Sequence, residues 1–304
     1  MLKIKIGNIE FCSPVIASSG TFGYGDEVKS FVDISKLGGI VTKSITPEPR
    51  LGNSNPRILE SESGMLNAIG LANVGVYEFC DKKIPIINTL NTNIIVSVAG
   101  STIEDYVNVV KEIENTGGNH IGYEINISCP NTKKGGVEFG KDSDMTLKLT
   151  KSIRSLTDKL LIVKLSPNVT SIENIALAAE KGGADAISAI NTVVGMAIDI
   201  NTQKYKLSNK YGGLSGPAIR PIAIANVHKI FNVVSIPVIG IGGVRNSDDV
   251  IEFMLAGASL VQVGTMNYLN PAVGVEISAN LIKHCRNKNI FDISKIIGKV
   301  DNVK

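Results

Sequence analysis

The segment best equipped for chemistry is Asn126-Ile-Ser-Cys-Pro-Asn131, followed by Lys133-Lys-Gly-Gly136. Cys129 precedes a proline, so its backbone is biased away from helix and it is expected in a loop. Two lysines nearby favour the thiolate, the form that acts as base or nucleophile. The same residues also read as an inert, partly buried cysteine. Cys12, Cys80 and Cys285 stand in no such setting and read as structural. Lys43 and Lys164 close apolar runs, Gly-Ile-Val-Thr-Lys and Leu-Ile-Val-Lys. A lysine at such a place is either solvated at a rim or met by something anionic or electrophilic: a phosphate, a carboxylate, a reduced cofactor, or a carbonyl open to Schiff-base attack. Asn67, Asn126 and Asn191 are amides that suit a planar, hydrogen-bonding ligand, and equally suit ordinary turns.

Three further clusters combine glycine with polar residues: Asn191-Thr192, Gly240-Ile-Gly-Gly-Val244 and Val263-Gly-Thr265. Glycines let backbone N–H groups close on an anion, and a helix N-terminus favours negative charge. The competing reading is that they only permit tight turns. Gly240-Ile-Gly-Gly is not the GxGxxG fingerprint of a dinucleotide site. The three histidines, His120 and His228 among them, read as structural, so no histidine-based triad is expected.

These residues need elements to carry them. Residues 1–11 alternate charged and apolar types on both sides of Gly7-Asn8, a hairpin signal. Strands are predicted over 14–18, 39–43, 93–99, 122–127, 160–165, 185–190, 237–241 and 259–263, mostly as unbroken apolar runs, the pattern of a parallel sheet covered on both faces. Helices lie between them. Ser101 with Glu104 and Thr170 with Glu173 fit capping boxes, and Gly182 and Gly257 are placed to end helices in the left-handed conformation. Ile103, Tyr106, Val110 and Ile113 share one helical face, as do Met145, Leu149, Ile153 and Leu156.

An internal echo at 116–122, 181–187 and 255–261 joins helix to strand through small residues each time. Eight strands alternating with helices predict a (β/α)8 TIM barrel with an N-terminal hairpin, in which the clusters above fall at the carboxyl ends of the strands. Two stretches, 44–91 and 192–216, are too long for simple barrel loops and are expected to form inserted loops over the active-site face. No linker divides the chain, so residues 1–304 read as one domain.

Composition removes other classes. Of 304 residues, 31 are Lys or Arg and 28 Asp or Glu, for a net charge of +3 spread along the chain, which gives little basis for nucleic-acid binding. Four cysteines without a CxxC pair argue against a disulfide framework or a tetracysteine zinc site, and no metal site is expected. Apolar runs stop short of the ~20 residues of a membrane span, and the N-terminus lacks a signal-peptide apolar core. A soluble, cytoplasmic protein is expected.

Taken together, Asn126-Ile-Ser-Cys-Pro-Asn131, Lys43-Ser44, Asn67-Ala-Ile-Gly-Leu71, Asn191-Thr192, Gly213-Leu-Ser-Gly216, Ile241-Gly-Gly243 and Val263-Gly-Thr265 resemble the class 1 dihydroorotate dehydrogenases over essentially the whole chain. Thr21-Phe-Gly-Tyr-Gly25, the run 133–140 and Gly195-Met-Ala-Ile-Asp199 are similar to the NAD-linked branch, class 1B. The resemblance implies oxidation of dihydroorotate to orotate in pyrimidine synthesis, with FMN as hydride acceptor and Cys129 as the base that removes the C5 proton.

It further implies cofactor contacts from Ser19, Lys43, Ser44, Ser97, Asn126, Lys164, Ile190, Gly216, Gly242, Gly243, Gly264 and Thr265. Substrate contacts are implied for Lys43, Asn67, Ala68, Ile69, Gly70, Leu71, Asn126, Asn191 and Thr192. Ser97 departs from the family's usual asparagine there, and its shorter hydroxyl puts that one cofactor contact in question. The branch works with a partner subunit that carries FAD and an iron–sulfur ([2Fe-2S]) cluster and passes electrons to NAD, around a homodimer core in a heterotetramer. This chain has neither a dinucleotide fingerprint nor clustered cysteines for those groups. The alternatives are a fumarate-dependent class 1A enzyme and a Schiff-base lyase on the same barrel using Lys43 or Lys164.

Overall fold

The computed structural model describes residues 1–128 and 139–300. The chain opens with an antiparallel hairpin, β1 (Ile4–Ile6) and β2 (Ile9–Phe11), turning at Gly7 with φ +55°. Eight parallel strands then close a barrel. In chain order they are β3 (Val15–Ala17), β4 (Gly39–Val41), β7 (Ile94–Val98), β8 (Gly122–Asn126), β9 (Leu160–Leu165), β10 (Ala186–Ala189), β15 (Val238–Ile241) and β16 (Ala258–Val263), with β16 pairing back to β3. Each lies within two residues of its predicted range. All six residues of β9 are buried, as its unbroken apolar run demands when helices cover one face and the barrel interior the other.

Long helices follow six of the strands: α3 (Ile103–Thr116), α4 (Ser143–Arg154), α5 (Ile172–Lys181), α6 (Arg220–Phe231), α7 (Ser247–Leu255) and α8 (Val273–Asn287). After β4 the cover is a shorter helical stretch, α1 (Val76–Glu78), a π turn (Phe79–Lys83) and α2 (Ile84–Ile87). Among the described residues no helix is long and apolar enough to cross a membrane.

Two details correct the sequence expectations. The cap of α3 is Thr102, whose hydroxyl accepts from Asp105 N–H, while Asp105 answers at Thr102 N–H; α5 is capped by Ser171. Each expected cap is one residue early: hydroxyl residues are adjacent at both places, and the second, with extended backbone, turns its side chain back onto the helix. Likewise Gly183, at φ +96°, is the left-handed residue after α5, whereas Gly182 at φ −75° still ends the helix. Gly257 is left-handed as expected, at φ +120°.

The insertions are not simple loops. From the first come β5 (Ile58–Ser61) and β6 (Gly64–Asn67), and from the second β11 (Val193–Gly195) and β14 (Gly212–Ser215); they pair in the order β11-β14-β6-β5 as one antiparallel sheet. Between β11 and β14 a small hairpin projects, β12 (Ile198–Asp199) and β13 (Lys204–Tyr205). Asn67 stands opposite Gly213 in this sheet, and Leu66 opposite Leu214.

At the other end of the barrel His120 is 3% exposed, its ring edge-on to Tyr123 at 4.9 Å, and among the described residues neither ring nitrogen has a hydrogen-bond partner. Burial pushes its imidazole from 6.5 down to about 4, with the Lys159 ammonium adding to the effect. The unfolded chain therefore takes up a proton before the folded one does. Stability is complete above about pH 6.5 and falls by about 3 kcal/mol as pH drops to about 4. Urea denaturation of wild type and His120→Phe across that range checks this, since the variant should lose the slope. Removing the α3 cap by Thr102→Ala should cost about 1 kcal/mol in the same assay.

Candidate functional site at the carboxyl end of the barrel

Because all eight strands run the same way, their carboxyl ends open on one rim, and the polar residues singled out above gather there. Lys43 and Ser44 follow β4, Ser97 lies in β7, Asn126 ends β8, Lys164 is the fifth residue of β9, and Asn191-Thr192 lie just beyond β10. Asn126 is directly registered with Lys164 across β8 and β9.

The amides form a connected group. Asn191 Nδ2 donates to Asn126 Oδ1 at 3.2 Å, and the same oxygen accepts from Ser128 N–H at 3.3 Å. Asn191 Oδ1 accepts from Thr192 N–H at 2.8 Å. Thr192 packs on Gly213 so closely that a Cβ there would lie 2.1 Å from its hydroxyl, and Asn67 Nδ2 donates to the Gly213 carbonyl at 3.3 Å. The insertion sheet thus carries Asn67 to Thr192, Asn191 and Asn126, leaving each amide half-buried with unused hydrogen-bonding capacity. Asn168, absent from the sequence expectations, braces Thr192 by donating to its carbonyl at 2.9 Å.

Next to β6 the chain turns through Ala68-Ile69-Gly70-Leu71, with φ +76° at Gly70 and +57° at Leu71. Asn53 fixes the turn by bonding to the carbonyls of Ala68 and Ile69, both at 2.9 Å. The N–H groups of Ile69, Gly70 and Leu71 donate to no acceptor among the described residues. Two cations are close to one another here. Burial lowers the Lys43 ammonium's pKa, and the nearby Arg57 guanidinium lowers it further, against a smaller opposing effect of Glu27. Among the described residues neither cation has a carboxylate within ion-pair distance. Two half-buried, unpaired cations beside free N–H groups make a place for an anion. Sequence reasoning missed Arg57. Its signal was a lone basic residue beside the first predicted binding turn, and its meeting with Lys43 depends on how the insertion folds.

A second anion cradle lies across β15 and β16. Gly242 and Gly243 have φ +133° and +72°, and a Cβ on Gly243 would press to 2.8 Å on the Gly216 carbonyl and on Arg220. Gly216 is itself left-handed and touches Gly64 of the insertion sheet. Thr265 donates its hydroxyl to Ser215 at 2.8 Å. Gly264 is less crowded: an added Cβ would meet Ser18 at 3.8 Å and Thr21 at 4.0 Å, both van der Waals distances. The N–H groups of Gly242, Gly243 and Gly264 have no protein acceptor among the described residues. Glycine backbone turned outward, with unmet donors and free room, fits a phosphate. Ser19 lies half-buried beside Ser18, and Ile190 is buried with its N–H bonded to Ile241.

Between the cradles, Ser97 is fully buried and its hydroxyl pairs with that of Ser44 at 2.8 Å. Lys164, 6% exposed, meets an acidic partner from within the chain: Glu124 Oε1 at 3.3 Å. Glu124, Ser188 and Gln262 form a polar group inside the barrel that the sequence analysis did not foresee; a single acidic residue in the otherwise apolar run of β8 was the available signal. The proposed base, Cys129, and Lys133 and Lys134 lie outside the described residues. The chain reaches that segment at Ser128, whose hydroxyl donates to the Lys164 carbonyl at 3.2 Å.

The fold is a (β/α)8 barrel whose mouth gathers two cations, a linked set of amides and a glycine-rich turn at the ends of its last two strands that could hold anions. The dihydroorotate dehydrogenase family model matches residues 1–285, and the chain belongs to that family. Among similar relatives, the catalytic subunit of dihydroorotate dehydrogenase B (NAD(+)) from Alkaliphilus metalliredigens is 47% identical, covering 98% of each chain. The proteins of the same description from Geobacter metallireducens and Bacteroides thetaiotaomicron are each 46% identical, covering 98% and 99% of this chain and 97% and 99% of their own.

The Lys43–Arg57 arrangement has a direct check. Arg57→Ala removes a cation that disfavours the protonated amine, so the pH midpoint for acylation of Lys43 should move upward toward that of an ordinary lysine. Competitive labelling read by mass spectrometry measures it.

Proposed function

We propose that this chain is the catalytic subunit of a dihydroorotate dehydrogenase of the NAD-linked type, working as one FMN-binding barrel domain that oxidises (S)-dihydroorotate to orotate in pyrimidine synthesis. The observation that carries this reading is the meeting of two unpaired cations, three free N–H groups and a linked set of amides at one barrel mouth, next to a separate phosphate cradle. Dihydroorotate is a ring carboxylate rich in amide groups, and its product orotate is planar. Its carboxylate suits Lys43 and the N–H groups of 69–71, and its ring amides suit Asn67, Asn126, Asn191 and Thr192, which offer both donors and acceptors.

The cofactor is read as FMN, with its phosphate on Gly242, Gly243, Gly264 and Thr265, closed by Gly216, and its ring bordered by Ser19, Ser44, Ser97, Ile190 and Lys164. When bound it supplies the two-electron acceptor for the C6 hydride. The chain's own work is to hold the substrate ring flat, exclude water and receive the C5 proton, which we assign to Cys129 Sγ. An ordinary thiol pKa of ~8.5 needs little adjustment for that role near neutral pH. Lys164 places a positive charge where negative charge gathers on reduction. Electrons continue to NAD through a partner subunit, read as the iron–sulfur and FAD subunit of the branch, around a homodimer core in the cytoplasm.

Anaerobic mixing of FMN-loaded protein with dihydroorotate should bleach the flavin band and yield orotate, whereas absence of bleaching rejects the activity. Cys129→Ser should retain flavin and slow the bleaching about a hundredfold or more at neutral pH; unchanged kinetics reject the base assignment. Turnover with fumarate by the isolated chain would point to the class 1A alternative. Gly264→Ala brings a methyl to van der Waals distance of Ser18 and Thr21 at the cradle. It should weaken FMN binding about tenfold, near 1.4 kcal/mol, in a fluorescence titration, with thermal denaturation of the flavin-free protein as the control for folding.

A further inference from the structure

The centre of the barrel holds a carboxylate that the reaction itself does not call for. Glu124 has no exposed surface. Its Oε2 accepts from Ser188 Oγ at 3.0 Å and from Gln262 Nε2 at 2.5 Å, while its Oε1 faces Lys164 Nζ at 3.3 Å. Counted around the barrel, β8, β10 and β16 are the fourth, sixth and eighth strands. Glu124, Ser188 and Gln262 therefore come from alternate strands, the arrangement that fills one interior layer of such a barrel. Lys164 comes from the fifth strand, directly registered with Ser188.

A carboxylate in that interior is costly unless it is fully bonded and matched in charge. Two neutral donors satisfy Oε2, and the only cation on Oε1 among the described residues is Lys164. The dependence is mutual. Glu124 is the only protein acceptor of the Lys164 ammonium among the described residues, which leaves two N–H donors for a ligand. The carbonyl of Lys164 is tied in turn by Ser128. Among the described residues Gln262 Oε1 is buried without a partner, so the amide is held in this orientation by what its nitrogen gives to Glu124.

We propose that Glu124 is a positioning residue for Lys164: it fixes the ammonium at the barrel mouth, and Ser188 and Gln262 hold the Glu124 side chain in place to do so. This rests on the reading of the site as flavin-binding. Without the carboxylate, the Lys164 side chain swings away toward water, and the positive charge beside the flavin is lost. Glu124 would then shape the flavin's electron affinity without touching it.

The test uses sulfite, whose addition to bound flavin is favoured by nearby positive charge, read from bleaching of the visible band in FMN-loaded protein. Glu124→Gln is compared with wild type in two backgrounds, native Lys164 and Lys164→Met, alongside thermal denaturation of each protein without flavin. In the native background Glu124→Gln should lower sulfite affinity roughly tenfold or more and shift the flavin midpoint potential negative. In the Lys164→Met background it should change neither.

A loss of stability with unchanged sulfite affinity would make Glu124 merely structural and overturn the proposal. So would an increase in affinity, because Glu124 would then act only as an opposing charge, and so would an equal drop in the Lys164→Met background. Failure of wild type to bind FMN would instead remove the flavin reading, and the proposal with it. If Glu124→Gln does not fold, Ser188→Ala, which takes one donor from the carboxylate, carries the same comparison with a smaller loss in the same direction.

Discussion

Closing eight parallel strands into a ring fixes the sense of every strand, and the rest of the structure depends on that constraint. Parallel pairing allows no tight turn between neighbours, so each strand must be followed by a crossover that returns outside the barrel. All carboxyl ends then share one rim, and residues far apart in sequence, such as Lys43, Asn126, Lys164 and Gly242, become neighbours. The ladder also fixes height. Because Asn126 is registered with Lys164 and Lys164 with Ser188, one buried charge in the interior sets the position of groups on three successive strands.

Charge is handled differently at two depths of the same mouth. Deep in the barrel, Lys164 is matched by a fully bonded carboxylate, so its charge is balanced before any ligand arrives. Nearer the surface, Lys43 and Arg57 have no carboxylate within ion-pair distance among the described residues, and an incoming anion would relieve their mutual repulsion. The first arrangement suits a permanent resident and the second a ligand that comes and goes, because an uncompensated cation pair gains more from an anion than a neutralised one does.

Most of the barrel was legible in the sequence because its strands are buried on both faces and therefore read as unbroken apolar runs. Leu160–Leu165 agrees residue for residue. The rim residues were legible for a related reason: polar or glycine residues that end such runs must lie where the strands emerge. What could not be read depends on pairing at a distance. Nothing local in Gly64–Asn67 says that it will pair with Gly212–Ser215, so the insertions were expected as loops and Arg57 went unnoticed. Glu124 failed to register because a lone charge in an apolar strand acquires meaning only when Lys164, Ser188 and Gln262 are seen around it. The caps slipped by one residue because Ser101-Thr102 and Thr170-Ser171 offer two adjacent hydroxyls, and residue type does not choose between them.

The sheet built from the two insertions has a consequence for how the molecule is made. Its outer strands leave the barrel after the second strand and after the sixth, so β6 and β14 cannot meet until most of the ring between them is in place. Pairing across so long a stretch of chain is a late and slow event in folding. Asn67 therefore reaches Thr192 and Asn191 last, and a chain that stops short of β14 has one side of the ligand place without the other. The insertions act as a clasp across the finished ring, so that the binding mouth is completed only on a barrel that has already closed.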